Sequence, residues 1–193
     1  RNPLLLAKEI AALDLYSGGR FIFGIGAGWL KEETELMGGD FAHRWTQTRE
    51  ALDVMKKLWT EEEAEHHGKY FDFPPVRSYP KPVQKPYPPI LIGGGAKNVL
   101  QRIVDHADGW LPNRITPAEL EDSRRKLDTL AMAAGRDPKS ITITVYGQAP
   151  DLALIKSLFD AGADRVVVRP DFVDTEAEMG PQLERIAEAV LGR

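Results

Sequence analysis

Apolar residues recur at helical spacing from residue 3 to about 15 (Leu6, Ile10, Leu13), and Ser17-Gly18-Gly19 stops the run. Proline near the start and glycine just past the end is the usual asymmetry of a helix. Phe21-Ile22-Phe23-Gly24-Ile25 then reads as a short apolar strand ending in glycines, the pattern of a strand buried in a parallel sheet. After an irregular stretch, residues 44–59 are helical again, with Leu52, Met55 and Trp59 on one stripe. Residues 61–88 break this rhythm. Tyr70, Phe71 and Phe73 alternate loosely, and Pro74, Pro75, Pro80, Pro82, Pro86, Pro88 and Pro89 forbid a long helix or a central strand. The expectation is an insertion holding a small hairpin and extended segments.

The rhythm resumes with Ile90-Leu91-Ile92 as a strand, three glycines, and a helix carrying Val99, Leu100, Ile103 and Val104. Gly109-Trp110-Leu111 is a short strand, and Thr116-Pro117-Ala118-Glu119 is a capping-box start for a helix that ends at Gly135. Ile141-Thr142-Ile143-Thr144-Val145 is a β-branched strand, followed by a helix over 152–159. Arg165-Val166-Val167-Val168 is the last strand and a final helix covers about 175–191. A helix followed by strand–helix units implies a parallel sheet, because parallel neighbours need crossovers. Eight such units close a TIM barrel in about 250 residues. The pattern here predicts an incomplete (β/α)8 barrel with about five units, parallel strands near 20–26, 89–93, 108–112, 141–147 and 164–169, and one domain over 1–193 with its insertion at 61–88. Since the leading helix has no strand before it and no methionine opens the chain, the expectation is that the N-terminal units are missing.

The 193 residues carry 25 basic and 29 acidic side chains without a basic stripe, which argues against a nucleic-acid or anionic-membrane partner. Apolar runs are too short to cross a bilayer. The absence of cysteine removes disulfides and thiolate chemistry and agrees with a cytoplasmic location. His43, His66, His67 and His106 fall in no ligand spacing, so no metal site is expected.

Function in βα folds collects at the carboxyl ends of the strands. Gly24-Ile25-Gly26-Ala27-Gly28-Trp29 would let a flat ring or a phosphate approach the backbone, or is simply a tight turn. Gly93-Gly94-Gly95 leads into a helix start, where backbone N–H groups and Lys97 would cradle an anion; the alternative is a flexible turn with a solvated lysine. Arg169-Pro170-Asp171 after the last strand lacks glycine, so the glycine loop is preferred. A side chain at Gly94 is expected to enter the anion's space and block a backbone donor. Trp110 and the polar groups after it up to Arg114, Asn113 among them, and, by position, Gln148 are candidate pocket residues beside Trp29; Trp110 reads equally well as core. Arg44 is placed at the mouth, His43 at a helix start, and Arg49-Glu50 on a solvated face. None of these makes a nucleophile–base pair, so a cofactor has to carry any redox reaction.

Taken together, residues 6–14, Ser17-Gly18-Gly19-Arg20-Phe21 and Gly24-Ile25-Gly26-Ala27-Gly28-Trp29 resemble the luciferase-like monooxygenase superfamily, in particular its probable coenzyme F420-dependent oxidoreductases. His67-Gly68-Lys69-Tyr70, Pro80-Lys81-Pro82-Val83-Gln84, Pro88-Pro89-Ile90-Leu91-Ile92-Gly93-Gly94 and Ala107-Asp108-Gly109-Trp110 carry the same resemblance. It implies a TIM barrel and a reduced flavin or deazaflavin (FMN or coenzyme F420) over the strand ends, with Gly26-Ala27-Gly28 near the ring and Gly93-Gly94-Gly95 near the phosphate tail. Hydride transfer or monooxygenation of a small organic substrate follows from the resemblance. As partner, a second copy of the chain or other segments completing the barrel is expected. Two alternatives compete. A non-catalytic fragment or subunit would need a partner, and an S-adenosylmethionine-dependent transferase would use Gly24–Gly28 as its cofactor loop. The transferase fold opens on that strand, whereas here a helix precedes it.

Overall fold

A computed structural model describes residues 1–192, in two compact units, the first spanning Arg1–Ile90 and the second beginning at Leu91. In the first unit, helix α1 (Pro3–Tyr16) is capped by Asn2, whose side-chain oxygen accepts the Leu4 N–H at 2.9 Å. Its buried face is Pro3, Ala7, Ile10, Ala11 and Asp14. This corrects the stripe expected from Leu6, Ile10 and Leu13, since Leu13 is half exposed. The reason lies in α3 (Arg44–Thr60): its Trp59 indole N–H donates to the Ala7 carbonyl at 2.9 Å, an approach that a small residue permits. Leu52, Met55, Leu58 and Trp59 are buried on α3 as the periodicity requires.

Strand β1 (Phe23–Ile25) is shorter than its apolar run, and its Phe23 N–H donates to the Pro89 carbonyl at 2.8 Å, beside the start of β4 (Ile90–Gly93). The stretch expected to be irregular contains a short helix, α2 (Lys31–Leu36), none of whose residues is buried. Strands β2 (Ala64–His67) and β3 (Asp72–Val76) form the antiparallel hairpin, pairing His66 with Phe73 and His67 with Asp72. Near the end of α1, Asp14 is fully buried. The Gln84 backbone N–H and side-chain amide donate to its two carboxylate oxygens at 2.9 and 2.7 Å, and the same amide reaches the Phe21 carbonyl at 2.7 Å.

The second unit alternates strand and helix: β4, α4 (Val99–His106), β5 (Gly109–Leu111), α5 (Pro117–Ala133), β6 (Thr142–Gln148), α6 (Leu152–Asp160), β7 (Arg165–Val168) and α7 (Glu176–Leu191). The sheet runs β4-β5-β6-β7, every neighbour parallel, with Leu91 opposite Gly109, Trp110 opposite Ile143 and Val145 opposite Val166. Gly109 is required by packing: a Cβ there would stand 2.5 Å from both the Thr142 carbonyl and a Leu91 methyl. Ile103, Leu120, Leu127, Ile143, Val145 and Leu158 fill the core between sheet and helices. The capping box at Thr116 forms, with Glu119 accepting the Thr116 N–H at 2.9 Å. Among the described residues no helix is long and apolar enough to cross a membrane.

Candidate functional site

In the second unit β4 ends at Gly93 and α4 begins at Val99, so Gly94 to Asn98 form the strand-to-helix loop. Gly94 has φ +90°, and β5 ties it on both sides: its N–H donates to the Leu111 carbonyl at 3.2 Å and its carbonyl accepts the Trp110 indole N–H at 2.8 Å. Gly94 is therefore not a free donor, which corrects the expectation that a side chain there would block one. The backbone N–H groups of Gly95, Ala96, Lys97 and Asn98 donate to no protein acceptor among the described residues. The Ala96 carbonyl accepts the Val99 N–H at 2.8 Å and closes the turn into α4. Nothing lies within 4 Å of where a Cβ would stand on Gly94 or Gly95.

This loop borders a cavity of about 590 Å³ that brings together Gly94, Gly95, Lys97, Trp110, Asn113 and Arg114. Lys97 is exposed and makes no ion pair among the described residues. Two acids reach the rim, and both are committed. Glu119 caps Thr116, whose backbone and side-chain hydrogen bonds hold its carboxyl below the usual range. Asp122 is held down by its hydrogen bond to Lys126 at 2.5 Å and by Arg125. The cavity is thus lined by three basic residues, Lys97, Arg114 and Lys126, against these two acids. Trp110 is only 4% exposed, so it is core and at the same time the strut that fixes the loop.

Asn113 makes a parallel bridge to Tyr146, and the Arg114 N–H donates to the Tyr146 carbonyl at 3.0 Å. Gly147 has φ +78°, and a Cβ there would come within 2.8 Å of the Asn113 side-chain oxygen, so the close approach depends on glycine. Gln148 is buried and its amide donates to the Ile115 carbonyl at 3.4 Å. It supports the loop from beneath and does not line the cavity.

In the first unit, Gly26, Ala27 and Gly28 line a second cavity of about 590 Å³ with Arg44, Gln47 and Thr48. Arg44 donates to the Gly28 carbonyl at 3.1 Å and to the Phe41 carbonyl at 2.7 Å, with its guanidinium 3.9 Å over the Phe41 ring. A Cβ on Gly26 would meet nothing within 4 Å. Trp29 is 84% exposed and stands outside this cavity. His43 sits at the start of α3 and binds Asp40 at 2.6 Å, a hydrogen bond that lowers the Asp40 pKa.

Glu50 is not on a solvated face. Its side chain is 13% exposed, and one oxygen accepts the Tyr70 and Phe71 N–H groups at 2.9 and 2.8 Å with His66 3.3 Å away. Burial pushes its carboxyl up, but the Phe71 and Tyr70 donors and His66 outweigh that and leave the pKa lowered. It fastens the β2–β3 turn to α3. Nothing in the local sequence signals this, because the partners lie about twenty residues away along the chain.

Comparison with known proteins covers most of the chain. Residues 1–149 match the family model of luciferase-like monooxygenases. An uncharacterized protein of Mycobacterium tuberculosis is 38% identical over 149 residues, 75% of this chain and 51% of that protein. The FMNH(2)-dependent dimethylsulfone monooxygenase of Pseudomonas putida is 31% identical over 110 residues, 54% of this chain and 30% of that one. Among solved structures, the coenzyme F420 dependent tetrahydromethanopterin reductase of Methanopyrus kandleri shares the fold with a TM-score of 0.78 at 19% identity, covering 100% of this chain and 79% of that one. The chain spans about half the length of the curated relatives it matches, 51% and 57% for two of them.

Proposed function

Because the chain belongs to the luciferase-like monooxygenase family, we propose that it is the part of an oxidoreductase that holds a reduced flavin or deazaflavin, FMN or coenzyme F420, for reaction with a small organic substrate. Its fold, α/β with a parallel sheet, corresponds to part of a luciferase-like TIM barrel. The observation that carries the reading is the loop after β4. Gly95, Ala96 and Lys97, whose backbone N–H groups have no protein acceptor among the described residues, line a cavity together with the start of α4, and there is room at Gly94 and Gly95. Such a cradle suits a phosphate, which both cofactors carry.

In this reading Gly95, Ala96 and Lys97 bind the phosphate, and Trp110 keeps the loop in register by holding the Gly94 carbonyl. Asn113 borders the same cavity and is assigned to its polar wall. In the first unit, taken by itself, Arg44 on the Gly28 carbonyl steadies Gly26-Ala27-Gly28, a segment of small residues assigned as a surface that a flat ring can approach. Once bound, the cofactor supplies the redox chemistry, hydride transfer or oxygen-dependent monooxygenation, and the chain's residues bind and orient it. Both cofactors have support: the dimethylsulfone monooxygenase depends on reduced FMN, and the structurally similar reductase on coenzyme F420. Titration of the chain with FMN and with coenzyme F420, followed by their fluorescence, tests the proposal. Saturable binding of either is expected, and binding of neither contradicts it.

A further inference from the structure

Arg114 is the one residue other than glycine among the described residues with a positive φ, +50°. An arginine gains nothing intrinsic from that conformation, which costs L-residues free energy and is tolerated best by glycine, asparagine and aspartate. The surroundings impose it. The Arg114 N–H is held by the Tyr146 carbonyl, Asn113 bridges Tyr146, and β6 is irregular between Tyr146 and Gln148, where Gly147 makes room for the Asn113 side chain. The strained turn delivers the arginine to the wall of the cavity that also contains Gly95 and Lys97. There its guanidinium makes no hydrogen bond, ion pair or ring contact among the described residues. The acids on that rim, Glu119 and Asp122, are already engaged by Thr116 and by Lys126 with Arg125.

From this geometry we infer that Arg114 is a second anion ligand of the cavity. Its fork closes on the phosphate that the β4–α4 loop holds, and the strain at its backbone is the cost of presenting it. The inference rests on the phosphate reading of the glycine loop. An arginine is suited to the task because its planar donors meet two phosphate oxygens at once, which a lysine cannot do. Strain kept at a ligand-facing residue is the pattern expected where function opposes stability.

The test pairs affinity with stability in two variants, Arg114→Asn and Arg114→Lys. Ligands are FMN against riboflavin, and coenzyme F420 against its phosphate-free deazaflavin chromophore. Binding is read by fluorescence and stability by thermal unfolding without ligand. Arg114→Asn is expected to weaken the phosphate-bearing ligand about tenfold or more. It should leave the phosphate-free one unchanged and raise the melting temperature, because asparagine accepts the left-handed backbone. Arg114→Lys keeps the charge without the fork and falls between parent and Asn in affinity. A melting temperature that drops in Arg114→Asn marks the arginine as structural and overturns the inference. So does equal weakening of both ligand forms, or no weakening of either. Failure of the underlying reading shows separately, in the parent protein, as equal affinity for phosphate-bearing and phosphate-free ligands, and the inference falls with it.

Discussion

Gln84→Ala tests the network around the buried Asp14 carboxylate. The variant keeps the backbone N–H that donates to one Asp14 oxygen but removes the amide that serves the other oxygen at 2.7 Å and the Phe21 carbonyl at 2.7 Å. Asp14 is fully buried, so water cannot replace the lost donor without opening the end of α1. An unsatisfied buried acceptor costs about 1–3 kcal/mol, and more when it is charged. With two acceptors orphaned, the expected loss is about 2–5 kcal/mol, a large share of a domain's stability. Gln84→Glu is the sharper variant. It sets a second carboxylate against the first, so at neutral pH the loss should exceed that of the alanine. Urea unfolding at neutral pH measures both, provided the transition is two-state. A Gln84→Ala loss under about 0.5 kcal/mol, or a Gln84→Glu variant no less stable than the alanine, would refute the reasoning.

Glu50 has its pKa lowered in the fold, so its contribution is complete above its ordinary value of 4.5 and is lost as the pH falls through the depressed one. Hydrogen exchange at the Tyr70 and Phe71 amides should stay protected below pH 4.5 and weaken in stronger acid, whereas Glu50→Ala should expose both amides at neutral pH at a cost of about 1–3 kcal/mol. Gly109→Ala puts a methyl 2.5 Å from the Thr142 carbonyl, and chemical unfolding should show a loss of about 3 kcal/mol. Retained stability would mean that β5 and β6 can part there.

Large apolar residues announced most of the architecture. The strands at Ile90, Gly109, Thr142 and Arg165 begin within a residue or two of their apolar runs, and the parallel order follows from the helices between them. The apolar pattern misplaces the buried face of α1 because that face uses Ala7 and Ala11, small residues that carry little weight in a hydrophobic pattern yet let Trp59 dock. Helix α2, Lys-Glu-Glu-Thr-Glu-Leu, has no apolar period to read. Gly94, Gly95 and Lys97, and separately Trp110 and Asn113, are legible as candidates because strand ends are where βα folds place ligands; that all five line one cavity is visible only in the structure. The left-handed backbone of Arg114, the anchoring role of Glu50 and the Asp14–Gln84 pair are not legible. Each depends on a partner 16 to 70 residues distant, Tyr146 for the first, whose arrival only tertiary structure decides.

Gly95 is a cleaner probe of the phosphate cradle than Gly94, because Gly94 has a positive φ and a committed N–H, whereas a side chain on Gly95 would enter open space. The decisive measurement is the ratio of affinities for FMN over riboflavin, and for coenzyme F420 over its phosphate-free chromophore, in the parent and in Gly95→Val. The account predicts that at least one pair shows a preference of about tenfold or more for the phosphate-bearing form in the parent, and that the valine abolishes it while thermal stability is unchanged. An undiminished preference in Gly95→Val would contradict it.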